Sequence, residues 1–171
     1  MDWSAVTQRV VVDAAATHPD DVVLDYRAGP GGLTLALSPR VRQVIAFDDV
    51  DRLARPLPTN VTVRTGDLVK PPVDGVSVVV MNDALRRLSP GDQGVLLAHL
   101  GNNLPPRALL VIGDVMWSFP VEDIDEPGQF GDEVQWAPAT AALESRLRAA
   151  GFLPDTHRFG VGRGVVIALR G

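Results

Sequence analysis

The stretch Val22-Val23-Leu24-Asp25-Tyr26-Arg27-Ala28-Gly29-Pro30-Gly31-Gly32-Leu33-Thr34 decides the fold. Its first five residues form an apolar run interrupted by one carboxylate, the composition of a strand covered on both faces. Glycines at 29, 31 and 32 follow. They give a tight turn whose main chain a ligand can touch. From Leu33 to Leu37 the pattern turns helical,. Strand, glycine turn and helix in this order open a βα unit of an α/β sheet. Taken alone, such a turn also serves as a plain connection that binds nothing.

The same alternation continues on both sides. Upstream, Trp3 to Thr17 reads as a helix, with Val6, Val10 and Ala14 at helical spacing, and His18-Pro19-Asp20-Asp21 breaks it,. Downstream, Val41 to Phe47, Val61 to Arg64, Val76 to Met81 and Ala108 to Ile112 are short apolar strands,. Asp49 to Arg55 reads as one or two helical turns stopped by Pro56 and Pro58,. Ser89-Pro90 is a capped helix start leading to about Leu100,. Thr140 to Ala150 is an amphipathic helix closed by Gly151,. Asp155 to Phe159 and Val165 to Leu169 flank a glycine-rich turn and predict an antiparallel hairpin,. The stretch 115–137 has no clear periodicity, so it reads as a functional loop, a candidate lid, or as a disordered one; its Trp117, Phe119 and Trp136 would form a substrate wall or simply belong to the core,. Strands alternating with helices imply an α/β fold around a mostly parallel sheet. One domain is expected over residues 1–171, with 1–20 as its N-terminal helical segment,.

Composition narrows the chemistry. The chain has no cysteine, which excludes disulfides, thiolate metal sites and thiol nucleophiles,. Its three histidines, at 18, 99 and 157, are too scattered for a local metal motif. No apolar run approaches the ~20 residues of a membrane span, and Met1-Asp2-Trp3-Ser4 does not begin like a signal peptide, so a cytoplasmic protein is expected,. The formal net charge of −5 argues against a nucleic-acid partner,. On this view Arg40/Arg42 and Arg86-Arg87 are solvated surface.

Polar groups recur at the ends of the predicted strands. Asp48 ends the second, Gly66-Asp67 the third and Asn82-Asp83 the fourth. Open α/β sheets bind ligands at these carboxyl ends, and a carboxylate after the second strand accepts hydrogen bonds from ribose hydroxyls. Each acid could equally cap a turn. A dinucleotide fingerprint fails in both registers: from Gly29 its third position is Thr34, and two residues earlier its first is Arg27,. There is no P-loop sequence either.

With these motifs in hand, the chain resembles the class I S-adenosylmethionine-dependent methyltransferases from about Val22 to Gly171. Leu24 to Thr34 is similar to the family's first motif, usually Leu-Asp-x-Gly-x-Gly-x-Gly. Val44 to Asp48 resembles the second-strand motif, Thr65 to Leu68 the adenine segment, Val78 to Leu88 the fourth-strand motif and Ala108 to Trp117 the fifth strand. The resemblance implies a Rossmann-like three-layer sandwich with a seven-stranded sheet and an antiparallel last strand. It implies S-adenosylmethionine as cofactor. Asp25, Ala28, Gly29 and Gly31 would line its methionine end, Asp48 would bind ribose, Asp67 and Leu68 would meet adenine, and Asn82 would lie near the sulfonium.

The sequence also departs from the family. Arg27 stands at the first glycine, where it would either block the methionine moiety or pair with its carboxylate,. Asn82-Asp83-Ala84-Leu85 is not the Asn/Asp-Pro-Pro-aromatic motif of enzymes that methylate amino groups of bases and glutamine. Together with the acidic charge, this leads to the expectation of a small-molecule acceptor. A base for it would come from Asp83 or Asp114, just past the predicted strand ends, while His157 reads as structural,. A second expectation is a methyltransferase-like module that binds without catalysis, given Arg27 and the short N-terminal helix. That short helix leaves the cleft to be closed by 115–137 or by a second subunit, so a homo-oligomer stays open.

Overall fold

The computed structural model describes residues 2–116, 137–159 and 162–171. Helix α1 spans Trp3–Ala14, β1 Val22–Tyr26, α2 Gly32–Leu37, β2 Gln43–Asp48, β3 Val61–Thr65, β4 Val78–Asn82, α3 Pro90–Asn103, β5 Leu109–Val115, α4 Thr140–Ala149, β6 Phe152–Arg158 and β7 Arg163–Arg170. The strands form one sheet in the order β3-β2-β1-β4-β5-β7-β6. β1 to β5 pair in parallel, and β7 lies antiparallel between β5 and β6. The expected Rossmann-like sandwich with its C-terminal antiparallel hairpin is the observed fold.

Each layer follows from the sequence pattern. All five residues of β1 are buried, because helices cover both of its faces,. On one face Leu24, Met81 and Leu110 pack with Leu96, Leu97 and Leu100 of α3 and Leu143 and Leu147 of α4. On the other, Val23, Val44, Val80 and Val111 pack with Val11 and Val12 of α1 and Leu33 and Leu37 of α2. Ser89 caps α3 by accepting from Asp92 N, as the Ser-Pro start predicts,.

Three of the differences from the expected boundaries have a visible reason. Helix α1 stops at Ala14 rather than Thr17, because Ala16 takes a left-handed φ of 41° that no helix continues through,. Asp49 to Arg55 forms no helix. Its backbone N–H groups are instead taken by side-chain carboxylates, Asp49 N by Asp48 at the end of β2 and Leu53 N by Asp51, which compete with helical turns,. Strand β5 runs on to Val115, because β7 pairs with it as far as Val115↔Arg163. Asp114 therefore lies inside the strand and not past its end.

The site depends most on how α1 is seated. It crosses β5 at Gly113, where a Cβ would collide with the side chains of Val11 and Thr7. The bare glycine lets the helix backbone sink onto the sheet. Gly113→Ala should destabilise the fold by about 1–3 kcal/mol through overpacking. The melting temperature should then fall by roughly 3–10 °C. An unchanged melting curve would show that α1 does not depend on this approach.

Candidate functional site: a cleft at the carboxyl edge

The turn after β1 takes three left-handed steps, at Arg27 (φ 56°), Gly29 (φ 52°) and Gly31 (φ 95°). It is gripped from β2. Ala28 N donates to Phe47 O at 3.0 Å, and Gly29 N donates to Asp48 Oδ2 at 3.0 Å. A Cβ on Gly31 would strike Leu53, so that glycine is needed for packing. A Cβ on Gly29 would meet only the carbonyl of Arg27 within 4 Å, which leaves the Gly29 main chain open to a ligand,.

This turn borders a cleft of about 370 Å³, lined by Asp25, Arg27, Ala28, Gly29, Asp48, Asn82 and Asp83 among others. Asp25 is fully buried at its base and accepts from Thr34 Oγ1 at 2.6 Å. Burial pushes its pKa from the ordinary 3.8 up to about 6, against the lowering effect of the Thr34 bonds and with a small push from Asp48,. Asp48 is buried at the end of β2, within 3.4 Å of Arg52 Nη1. Arg27 occupies the left-handed backbone state that glycine would take, so the path of the turn survives the substitution. Its side chain lines the cleft wall, and its charge helps hold Asp49 below the usual carboxylate range, behind the larger effects of Asp48 and Arg52.

The far wall is built from β4, β7 and α1. Asp83 also has a left-handed φ, 53°, and its N–H donates to Gly113 O at 2.8 Å. Its Oδ1 accepts from Arg163 Nη1 at 2.8 Å and lies 3.5 Å from Arg86 Nη2. Arg163 also donates to Thr7 Oγ1 of α1. Arg86 is buried and pairs with Asp114 at 3.2 Å. Asp114 in turn accepts from the main-chain N–H groups of Arg86 and Val115. Burial still pushes Asp114 up to about 6, because removal from water outweighs these bonds and the Arg86 charge. Asn82 Oδ1 and Asp83 Oδ2 are shielded from water and have no hydrogen-bond partner among the described residues. A buried acceptor without a donor costs about 1–3 kcal/mol, which marks these two oxygens.

The structure thus brings Asp25, Arg27, Ala28, Gly29, Asp48, Asn82 and Asp83 together. It does not bring in the rest. Gly31 supports the turn from behind. Asp67 is exposed, caps Val69 N and lines a neighbouring cleft of about 470 Å³ with Phe47, Arg64 and Lys70. Leu68 packs against the core, and its carbonyl accepts from Tyr26 OH. Asp114, proposed from sequence as a base, sits in β5 with both oxygens engaged and does not reach the cleft. His157 is exposed on β6 beside Asp155. Arg86, read as solvated surface, is buried in the ion-pair network. Trp117, Phe119 and Trp136, with most of the 115–137 segment, lie outside the described residues. Ser4, Gln8 and Arg163 were not anticipated. Ser4 and Gln8 line the cleft from α1, but a helix this short gave no sequence sign of facing it. Arg163 sat among turn glycines. Among the described residues, no group of three or more acids and histidines is placed to hold a metal, and no helix is long and apolar enough to cross a membrane.

No family model matches the chain. Among curated proteins, it is 32% identical over 165 residues to the ribosomal RNA small subunit methyltransferase A of Rhodococcus erythropolis, which covers 94% of this chain and 54% of that protein. It is 51% identical over 55 residues to the protein of the same name from Thermobifida fusca. The chain spans about half the length of the first of these relatives. Among solved structures, it superimposes on human N-acetylserotonin methyltransferase in complex with S-adenosylmethionine (TM-score 0.77, 17% identity, 98% of this chain and 52% of that one). It also matches the putative methyltransferase bound to the Trm112 activator of Haloferax volcanii (TM-score 0.79, 13% identity, 99% and 91%). The fold is that of S-adenosylmethionine-dependent methyltransferases. The expectation of a small-molecule partner, with nucleic acid set aside, is overturned: the relatives found by sequence are named for ribosomal RNA. The net charge averages over the whole surface, and Arg27 and Arg87 line the cleft itself.

The raised pKa of Asp25 has a consequence for stability. A carboxylate whose pKa is higher in the folded state contributes stability that is full below about pH 4 and lost as pH rises past about 6,. Asp25→Asn removes that loss. It should leave stability at pH 4 nearly unchanged and raise it by roughly 1–3 kcal/mol at pH 8, read by urea unfolding. Equal effects at both pH values would contradict the assignment.

Proposed function

We propose that this chain is an S-adenosylmethionine-dependent methyltransferase domain whose acceptor is RNA of the small ribosomal subunit. The observation that carries the reading is the 32% identity across 94% of the chain to a ribosomal RNA methyltransferase. The cleft's inventory supports it. When bound, S-adenosylmethionine supplies a methyl group already activated by its sulfonium. The protein's task is then mostly alignment, which is worth roughly 7–11 kcal/mol of barrier.

The residues divide that task by position. Asp48 has lone pairs for the ribose hydroxyls, and the open face of Gly29 admits the nucleoside against the main chain. Asp25 and Thr34 lie at the base of the turn, where the methionine amine would find an acceptor. Arg27 offers its guanidinium to the methionine carboxylate as a charge-assisted contact. Asn82 lines the cleft at the end of β4, on the side where the sulfonium would lie. Arg27 and Arg87 at the cleft, with Arg64 and Lys70 beside the neighbouring one, supply local positive charge for a phosphate backbone despite the acidic total,.

S-adenosylhomocysteine at 100 times its dissociation constant should stabilise the protein by about 2.7 kcal/mol. For a chain of this size that is a melting shift of roughly 5–10 °C. Asp48→Ala should abolish the shift at the same ligand concentration. Labelled methyl groups should pass from S-adenosylmethionine to naked small-subunit ribosomal RNA. A protein that shifts with the ligand but labels no RNA would sink the acceptor assignment, and no shift at millimolar ligand would sink the cofactor assignment as well.

A further inference from the structure

We propose that Gln8 of α1 is a specificity-determining residue of the cleft, whose carboxamide reads the amino-acid end of the bound nucleoside. The inference rests on the cofactor reading above and adds to it a residue from a different element. Through Gln8 the cleft tells the intact cofactor from a nucleoside that has lost its amino-acid group.

Gly32 points to this role. Unlike Gly29 and Gly31, it takes no left-handed φ, so its backbone does not call for glycine. It is the first residue of α2, and glycine is a poor helix former,. What requires it is space. A Cβ on Gly32 would strike Gln8 Oε1, with Gln8 Cδ at 3.1 Å and Nε2 at 3.4 Å. The Gln8 carboxamide therefore lies against the bare Cα of residue 32, two residues before the threonine whose hydroxyl bonds Asp25. The helix that carries it is fixed in place. Thr7 and Val11 pack over Gly113, and Thr7 Oγ1 accepts from Arg163. Ser4 and Gln8, one turn apart beside that stripe, line the cleft,.

Gln8 is half-buried, and its carboxamide makes no hydrogen bond among the described residues. It offers a ligand one acceptor oxygen and two N–H donors. Asp25, Arg27 and Gly32 line the cleft with it, which narrows the choice of ligand group. A phosphate would engage the donors and leave the oxygen unused. An α-amino acid group engages both, because its ammonium donates to the oxygen and its carboxylate accepts from the N–H groups. Arg27 then meets the carboxylate from the turn while Gln8 meets the amino-acid group from the helix. Neither contact involves the ribose or the adenine, so Gln8 acts on the amino-acid end alone.

The test does not require the natural acceptor. S-adenosylhomocysteine carries the amino-acid end, whereas methylthioadenosine is the same nucleoside thioether without it. In calorimetric titration the wild-type protein should bind S-adenosylhomocysteine at least about tenfold more tightly than methylthioadenosine. Gln8→Met keeps a side chain of similar volume over Gly32 but removes the N–H donors and the oxygen. It should weaken S-adenosylhomocysteine by about tenfold, the loss of a hydrogen bond to a charged group, and leave methylthioadenosine within about threefold. Gln8→Ala should show the same split. A Gln8→Met protein that binds S-adenosylhomocysteine like the wild type would reduce Gln8 to packing and overturn the proposal. So would a loss shared equally by the two compounds in either variant, or a wild type that does not prefer S-adenosylhomocysteine. Failure of the wild type to bind either compound would overturn it together with the cofactor reading.

Discussion

One hydrogen bond organises the candidate site: the Gly29 N–H donated to the Asp48 carboxylate. The turn after β1 must bend through three left-handed residues, and one of them, Arg27, bears a side chain. A non-glycine residue in that state costs roughly 1–2 kcal/mol. The turn holds because β2 grips it twice, through Phe47 O and through Asp48. The same grip points a buried carboxylate at the mouth of the cleft and turns the open face of Gly29 inward. Structural need and, on the proposed reading, ligand chemistry thus converge on Asp48.

The opposite wall is built differently. Asp83, Arg86, Asp114 and Arg163 form a largely buried ionic network where the sheet behind is apolar. Such a network is seldom a net source of stability, because each charge has given up its water. What it offers is fixed geometry. It joins β4, β5 and β7 to α1 through Thr7, so the helix that supplies Ser4 and Gln8 to the cleft is registered against the strands that supply Asn82 and Asp83.

Much of this was legible in the sequence. Apolar runs bounded by glycine and proline gave the strands, and their order with intervening helices gave the sheet. The glycine turn and the acid after the second strand located the cleft from residues 25, 29 and 48. What escaped depends on contacts between distant segments. Asp114 looked like a strand-end carboxylate until β7 extended β5 past it. Arg86 looked like surface because its partners are set by three strands meeting. Arg163 lies 80 residues from Asp83 in the chain, and no local pattern links them. The expected small-molecule partner rested on whole-chain charge and one altered motif, while the likeness to ribosomal RNA methyltransferases lies in the chain as a whole.

The proposed function requires the cleft to take the cofactor with its ribose on Asp48 and its methionine end past Arg27. A crystal structure grown with S-adenosylhomocysteine tests this directly. It should place both ribose hydroxyls within hydrogen-bonding distance of Asp48 and the amino-acid carboxylate against the Arg27 guanidinium. A cleft filled instead by the Arg27 side chain, with no nucleoside beside Asp48, would contradict it.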